Sequence, residues 1–273
     1  GCIVRAKDGT YSPLTGNQIA SILAHYRVTA MFAKGILTRA NAGNACLIKT
    51  FVTSDLIQRI GDHFGVKVVN TLTGFKYIGA KLLAYERDLM TAAGAGLPYR
   101  QRKFNDLRSA HLQNSCYFVF GGEESYGYSG GDYVRDKDAN ASVLMLAEAA
   151  CAARARKGTL LDYLDAVYRQ HGYFLERLGQ VELEGAEGAA KIKRLLASLQ
   201  DTPPAAYAGI EVTHVENFAR DSYADVDGEP IPRELMLRFH LASGARVTVR
   251  GSGTEPKVKF YLSACHLPEG TRL

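Results

Sequence analysis

The run Cys116 to Phe120, read CYFVF, is apolar on both faces of an extended chain. A strand with no polar face is stable only when covered above and below, the position of a central strand in a parallel sheet flanked by helices. The surrounding sequence supplies the other layers. Cys46 to Val52 reads as one strand, Ser54 as the N-cap of a helix bearing Leu56, Ile57, Ile60 and Phe64, and Gly65 as its stop. Val66 to Val69 follows as a short apolar strand. Phe75, Ile78, Leu82, Tyr85 and Leu89 then recur at three- and four-residue steps, the period of a helix packed on one side. With a further helix over Ala139 to Arg156, the module is βαβαβα. Ligands of such sheets gather beyond the carboxyl ends of the strands, where the loop Gly121 to Asp138 is expected to emerge.

Ahead of this module, Gly1 to Val4 reads as the middle of a strand that turns at Lys7-Asp-Gly9. Thr15 with Gln18 forms a capping box for a helix striped by Ile19, Ile22, Leu23 and Tyr26. Behind it, a helix over Leu160 to Gln170 leads into a different pattern. Leu235, Leu237, Phe239 and Leu241 alternate with more polar residues, a turn falls at Ser243-Gly244, and Val247, Val249, Val258, Phe260 and Leu262 continue the alternation. Ile192, Leu195, Leu196 and Leu199 mark one covering helix. The expectation is an α/β chain in three parts. Residues 1–44 are the end of one α/β domain, 45–157 a complete three-layer α/β domain with a parallel or mixed sheet, and 158–273 a linker helix with an antiparallel α+β domain.

Composition narrows the partners. The chain has 273 residues, 47% of them hydrophobic, enough for more than one core. Its charge of +5 comes from 33 basic and 28 acidic residues that are largely interspersed, a mild bias toward anionic ligands. The densest basic run, Tyr99 to Arg108, reads as a solvated loop or insertion rather than a nucleic-acid surface, since no binding module surrounds it. The longest apolar stretch, Val143 to Ala153, is interrupted by Glu148 and is too short to cross a bilayer; no signal-peptide pattern opens the sequence. The five cysteines are widely spaced and lack any CxxC pair, which fits a reducing cytoplasm. The histidines show no metal-ligand spacing.

Three loops carry polar groups suited to chemistry. Arg250-Gly-Ser-Gly-Thr-Glu-Pro256 lies between two predicted strands. Its glycines free backbone N–H groups to form an anion nest, and Arg250, Ser252, Thr254 and Lys259 add donors for a phosphate; an ordinary Gly/Ser hairpin with an incidental arginine is the alternative. Gly121-Gly-Glu-Glu-Ser-Tyr-Gly-Tyr128 places Glu123 and Ser125 where both can meet the hydroxyls of a sugar, unless it is a plain strand-to-helix turn capped by Ser125. Lys137, further along, pairs either with an anion or with its neighbours Asp136 and Asp138. At Thr71-Leu-Thr-Gly-Phe-Lys76, Thr73 and Gly74 could present N–H groups at a helix start, though a plain N-cap is the simpler reading.

These loops, in this order, resemble the C-terminal portion of the α-D-phosphohexomutases, whose sugar loop has the form GE-x-S and whose phosphate loop resembles RPSGTEP. Here they read GGEESYG and RGSGTEP, and the likeness extends to TLTGFKYIG, GDYVRDKDA and LTGNQ, covering nearly the whole chain. Gly251 stands where proline is common, at a position that contributes backbone only. The resemblance implies an enzyme interconverting hexose 1-phosphate and hexose 6-phosphate through a phosphoserine and a sugar bisphosphate. Glu123 and Ser125 would hold sugar hydroxyls, with Thr73 and Gly74 completing recognition. Arg250, Ser252, Gly253, Thr254, Lys259 and Lys137 would grip phosphate.

The family's nucleophilic serine, in a motif like TASHNP, and its magnesium loop, of type D-x-D-x-D-R, do not occur in this sequence. No catalytic or metal-binding residue is therefore assigned to it. The resemblance implies that the Mg²⁺ ligands lie upstream of residue 1, that glucose 1,6-bisphosphate is the activator and intermediate, and that this chain alone is inactive. GGEESYGY with VRDKDA resembles a bacterial-type phosphoglucomutase. Phosphomannomutase or a bifunctional gluco/mannomutase is the alternative within the family, and a non-catalytic phosphosugar-binding protein the alternative outside it.

Overall fold

Apolar runs pair into sheets much as their patterning dictates in a computed structural model that describes residues 1–93, 97–251 and 256–267. The chain divides into two units, Gly1–His171 and Gly172–Leu273. The first unit runs β1 (Cys2–Arg5), β2 (Tyr11–Leu14), α1 (Gly16–Ala33), β3 (Ala45–Thr50), α2 (Leu56–Phe64), β4 (Lys67–Thr71), α3 (Phe75–Ala93), α4 (Phe104–Asn114), β5 (Tyr117–Gly122), β6 (Tyr128–Ser129), α5 (Ala139–Ala155) and α6 (Leu160–His171).

Strands β1 and β2 form a hairpin turned at Gly9, whose φ of 90° suits glycine. The main sheet has the order β4-β3-β5-β6; β4, β3 and β5 are parallel and β6 returns antiparallel along β5. Every residue of β3 and β5 is buried, as an apolar strand without a polar face requires. On one side Phe75, Ile78, Leu82 and Tyr85 of α3 pack on Cys46, Ile48, Val69 and Phe118. Parallel pairing brings the carboxyl ends at Thr50, Thr71 and Gly122 to one edge, which sets where the loops emerge.

Helix α1 begins with the expected capping box, Thr15 accepting from Gln18 N and Gln18 accepting from Thr15 N. Its place differs from the expectation for residues 1–44. It packs on α2, β5, α5 and α6, burying Ile19, Ile22, Leu23 and Val28, so it covers this sheet. Helix α6 likewise buries Leu160, Leu164 and Val167 against α1, α2 and α5. The units therefore part at His171, not after residue 157, because the apolar stripe of α6 has its partners in the first unit. The exposed ion pair between Lys7 and Asp162, 2.8 Å, ties the β1–β2 turn to the same helix.

Two local expectations are corrected. Strand β3 stops at Thr50, and although Asp55 immediately precedes α2, the Leu56 N–H still donates to Ser54 Oγ at 3.3 Å. The basic run Tyr99 to Arg108 is not a solvated loop: Tyr99–Gln101 is a 3₁₀ turn and α4 starts at Phe104. Tyr99 is buried and its hydroxyl, 2.9 Å from His111 Nε2, also donates to Asp132, so one aromatic anchor holds a segment whose charges read as a solvated loop or insertion.

The second unit runs β7 (Tyr173–Glu182), α7 (Gly185–Asp201), β8 (Ala206–Tyr207), β9 (Ile210–Asn217), β10 (Met236–Leu241), β11 (Arg246–Gly251) and β12 (Lys257–His266). These strands form one antiparallel sheet in the order β7-β12-β11-β10-β9-β8. One face carries Leu237, Phe239, Val247, Val249 and Val258, covered by Ile192 and Leu196 of α7 with Leu199 partly buried, while Leu195 faces out. No described helix is long and apolar enough to cross a membrane.

His25 and His171 sit edge to face, ring centroids 5.5 Å apart, at the packing of α1 on α6. Burial first, then the neighbouring imidazoles (His63 for both, and His25 for His171) and an arginine (Arg156 for His25, Arg59 for His171), pushes both imidazoles down to about 4. The unfolded chain binds these protons near pH 6.5 and the folded chain does not, so the stabilisation is whole above about pH 6.5 and lost toward pH 4. Urea unfolding of the first unit should show a midpoint lower by about 1 M or more at pH 4.5 than at pH 7.5. His171→Phe should flatten that dependence; an equal slope in the variant would contradict the assignment.

Candidate functional site

Strand β5 ends in two buried glycines, and its next residue, Glu123, is 6% exposed. A buried carboxylate must be met by donors. Glu123 Oε1 accepts the Gly74 N–H at 2.8 Å, at the junction of β4 and α3, so two carboxyl-end loops are joined by a charge-assisted bond. Gly74 has φ 118°, a conformation that side-chain-bearing residues rarely adopt, and this turns its N–H toward the carboxylate. The Glu123 N–H closes the loop on Gly127 O at 2.8 Å. A Cβ at Gly127 would lie 3.0 Å from Glu123 Oε2 and 3.2 Å from Lys137 Cδ, so this glycine leaves the space in which carboxylate and lysine stem converge.

The structure thus brings together Glu123, Gly74 and Lys137 of the sequence-predicted set. Ser125 is exposed on the loop, beside Tyr126 with its φ of 67°. It caps no helix: the next helix, α5, is capped by Asp138, whose Oδ1 accepts from Ala141 N at 3.0 Å. Thr73 Oγ1 is buried without a hydrogen-bond partner, so it does not act as an N-cap either. Lys137 is exposed, and its ammonium makes no ion pair with Asp136 or Asp138; Asp136 accepts the Lys137 backbone N–H and Asp138 the Tyr133 hydroxyl.

Residues that composition and spacing did not single out hold this loop. A Cβ at Gly16 would fall 1.7 Å from Glu124 O, so the start of α1 touches the loop backbone directly. The Tyr128 hydroxyl donates to Gly16 O at 2.8 Å. Arg27 of α1 donates through Nε to Val119 O and through Nη2 to Gly130 O, both at 2.7 Å, clamping β5 to the returning segment. Arg135 pairs with Glu86 of α3, fastening the far limb. At the neighbouring carboxyl end, Lys49 is 1% exposed and its ammonium meets Asp55 Oδ1 at 2.8 Å and Thr53 O at 3.2 Å, bracing the turn after β3. The signal for Lys49 was a cation inside an apolar strand, where only a paired charge is tolerated.

In the second unit Arg250 and Lys259 are directly opposite on β11 and β12, and so share a face of the sheet. That face is the reverse of the one bearing Val249 and Val258, as strand alternation predicts. Arg250 is in ion-pair contact with Glu234. Ser252, Gly253 and Thr254 lie outside the described residues. Among the described residues no group of three or more His, Cys, Asp or Glu side chains is arranged to hold a metal ion. The described side chains offer no donor set that fits the magnesium the resemblance implies.

Comparison with known proteins follows the same lines. The family model described as phosphoglucomutase/phosphomannomutase, alpha/beta/alpha domain III, matches residues 15–97 and 104–171, more than half of the chain and most of the first unit. A phosphoglucomutase of Staphylococcus epidermidis is 27% identical over 268 residues, covering 96% of this chain and 42% of its own length. One from Staphylococcus aureus is 26% identical over the same span, again 42% of its length. The chain therefore spans well under half of the curated relatives it matches. Among solved structures, the open form of pp63/parafusin, a phosphoglucomutase from Paramecium, aligns with TM-score 0.54 at 19% identity, covering 96% of this chain and 38% of that one. A Thermus thermophilus protein assigned as a phosphomannomutase aligns with TM-score 0.51 at 18% identity, covering 94% and 38%. Both are similar in fold.

Because Gly16 meets the Glu124 carbonyl with no room for a methyl group, Gly16→Ala should cost about 2 kcal/mol or more in the first unit. Gly43→Ala, with nothing within 4 Å, is the control. Thermal melts of the two variants test this; an unchanged melting point for Gly16→Ala would show that the loop does not rest on α1.

Proposed function

The chain belongs to the phosphoglucomutase/phosphomannomutase family, and from that premise we propose that it recognises phosphosugar groups: residues of the first unit are assigned to sugar hydroxyls and, separately, residues of the second unit to phosphate. The observation that carries this reading is the Glu123 carboxylate, buried at the carboxyl edge of the sheet and fixed by the Gly74 N–H. A carboxylate held in one orientation accepts hydrogen bonds from two adjacent ring hydroxyls, and Ser125 beside it supplies a further donor and acceptor. Lys137 adds charge for an anionic substituent, and Arg250, Lys259, Ser252, Gly253 and Thr254 are assigned to phosphate in their own right. The work of these residues is positioning and charge neutralisation, the main protein contribution to phosphoryl transfer.

In this reading the longer enzyme interconverts glucose 1-phosphate and glucose 6-phosphate by way of a phosphoserine and glucose 1,6-bisphosphate. Glucose ranks ahead of mannose because the curated relatives carry the phosphoglucomutase name. The attacking serine and the Mg²⁺ ligands are assigned to residues outside these 273, and the location to the cytoplasm.

Calorimetry of the 273-residue chain should detect saturable binding of glucose 1-phosphate. Glu123→Gln, which exchanges one acceptor oxygen for a donor, should weaken it about tenfold and leave inorganic phosphate binding unchanged. Equal affinity in the variant would overturn the sugar role. The same chain, given glucose 1-phosphate with catalytic bisphosphate and Mg²⁺, should form no glucose 6-phosphate; turnover would place the nucleophile within this sequence.

A further inference from the structure

Arg250 Nε donates to Glu234 Oε1, and among the described residues Glu234 is the only partner of this guanidinium. The pair is largely shielded, with side chains 22% and 17% exposed. Glu234 is itself fixed by its backbone: its N–H donates to Phe218 O at 3.2 Å and its carbonyl accepts Met236 N–H at 2.8 Å. Glu234 Oε2 is buried with no hydrogen-bond partner, so the carboxylate engages Arg250 through a single oxygen rather than a two-bond fork. Lys259 lies opposite Arg250 on one flank and Met236 on the other.

A guanidinium grips a tetrahedral oxyanion with two parallel N–H groups, from either the Nε edge or the terminal Nη1–Nη2 edge. With Nε engaged by Glu234, the edge left for a phosphate is the terminal pair. We propose that Glu234 is a positioning residue, which locks the Arg250 side chain through Nε so that its Nη1–Nη2 edge is presented to phosphate in advance of binding. This rests on the assignment of Arg250 to phosphate made above. Pre-ordering a long side chain favours affinity because less freedom is lost on binding, whereas the negative charge of Glu234 opposes an anion. The isosteric amide separates the two effects, because it keeps an acceptor for Nε and removes the charge.

Calorimetry with inorganic phosphate and with glucose 1-phosphate, on the wild-type chain, Glu234→Gln and Glu234→Ala, decides between them. The expected result is a loss of about tenfold in phosphate affinity for Glu234→Ala and none for Glu234→Gln. Tighter binding in both variants would mean that Glu234 only repels the anion, and unchanged binding in both would mean that it does nothing for it; either result overturns the proposal. No binding by the folded wild-type chain would remove the phosphate assignment itself. The Arg250 Nε–H resonance in ¹⁵N–¹H spectra supplies a readout without ligand. It should be protected from solvent exchange in the wild type and Glu234→Gln and exchange rapidly in Glu234→Ala; rapid exchange in the folded wild type would overturn the proposal.

Discussion

A carboxylate removed from water has to be repaid in hydrogen bonds, and Glu123 meets that requirement through the N–H of Gly74. This one bond links the loop after β5 to the junction of β4 and α3, so two chain segments far apart in sequence form a single polar surface at the edge of the sheet. The local geometry follows from it. Gly74 adopts a backbone conformation suited to glycine so that its N–H faces the carboxylate, and Gly127 lacks a side chain where Glu123 and Lys137 meet.

That surface depends on a scaffold built from apolar burial. Strands β3 and β5 are buried along their whole length, and parallel pairing with β4 puts their carboxyl ends side by side. Helix α1 does more than cover one face. Through Arg27 it clamps β5 to the segment that returns from the loop, and through Gly16 it supports the loop backbone itself. The buried Lys49, paired with Asp55, stiffens the adjacent turn in the same way, since an unpaired ammonium at that depth would be costly.

Much of this was legible in the sequence because it rests on periodicity. The two-sided apolar run at β5, the stripe of α3 and the Thr15 capping box each express a local rule that the fold obeys. What was not legible depends on partners distant in sequence. The alternation of β7 is blurred because most of its residues are exposed, and the order of Tyr99 to Arg108 comes from one tyrosine bonded to Asp132 and His111. The place of α1 is hidden for the same reason: the sequence shows its apolar stripe, but not that the stripe packs on β5. At the site, residue type pointed to Glu123, yet the donor that fixes it and the glycine that makes space for it emerge only from the folded geometry.

The second unit presents its arginine differently, by strand register and a carboxylate partner rather than by a loop closed on itself. The central claim, that the Glu123 carboxylate meets sugar hydroxyls while it is held by Gly74, is tested most directly at the Gly74 amide. In ¹⁵N–¹H spectra titrated with glucose 1-phosphate, the Gly74 signal should move and saturate, and inorganic phosphate alone should leave it in place. A glucose 1-phosphate titration in which Gly74 stays still while signals of the second unit shift would contradict the account.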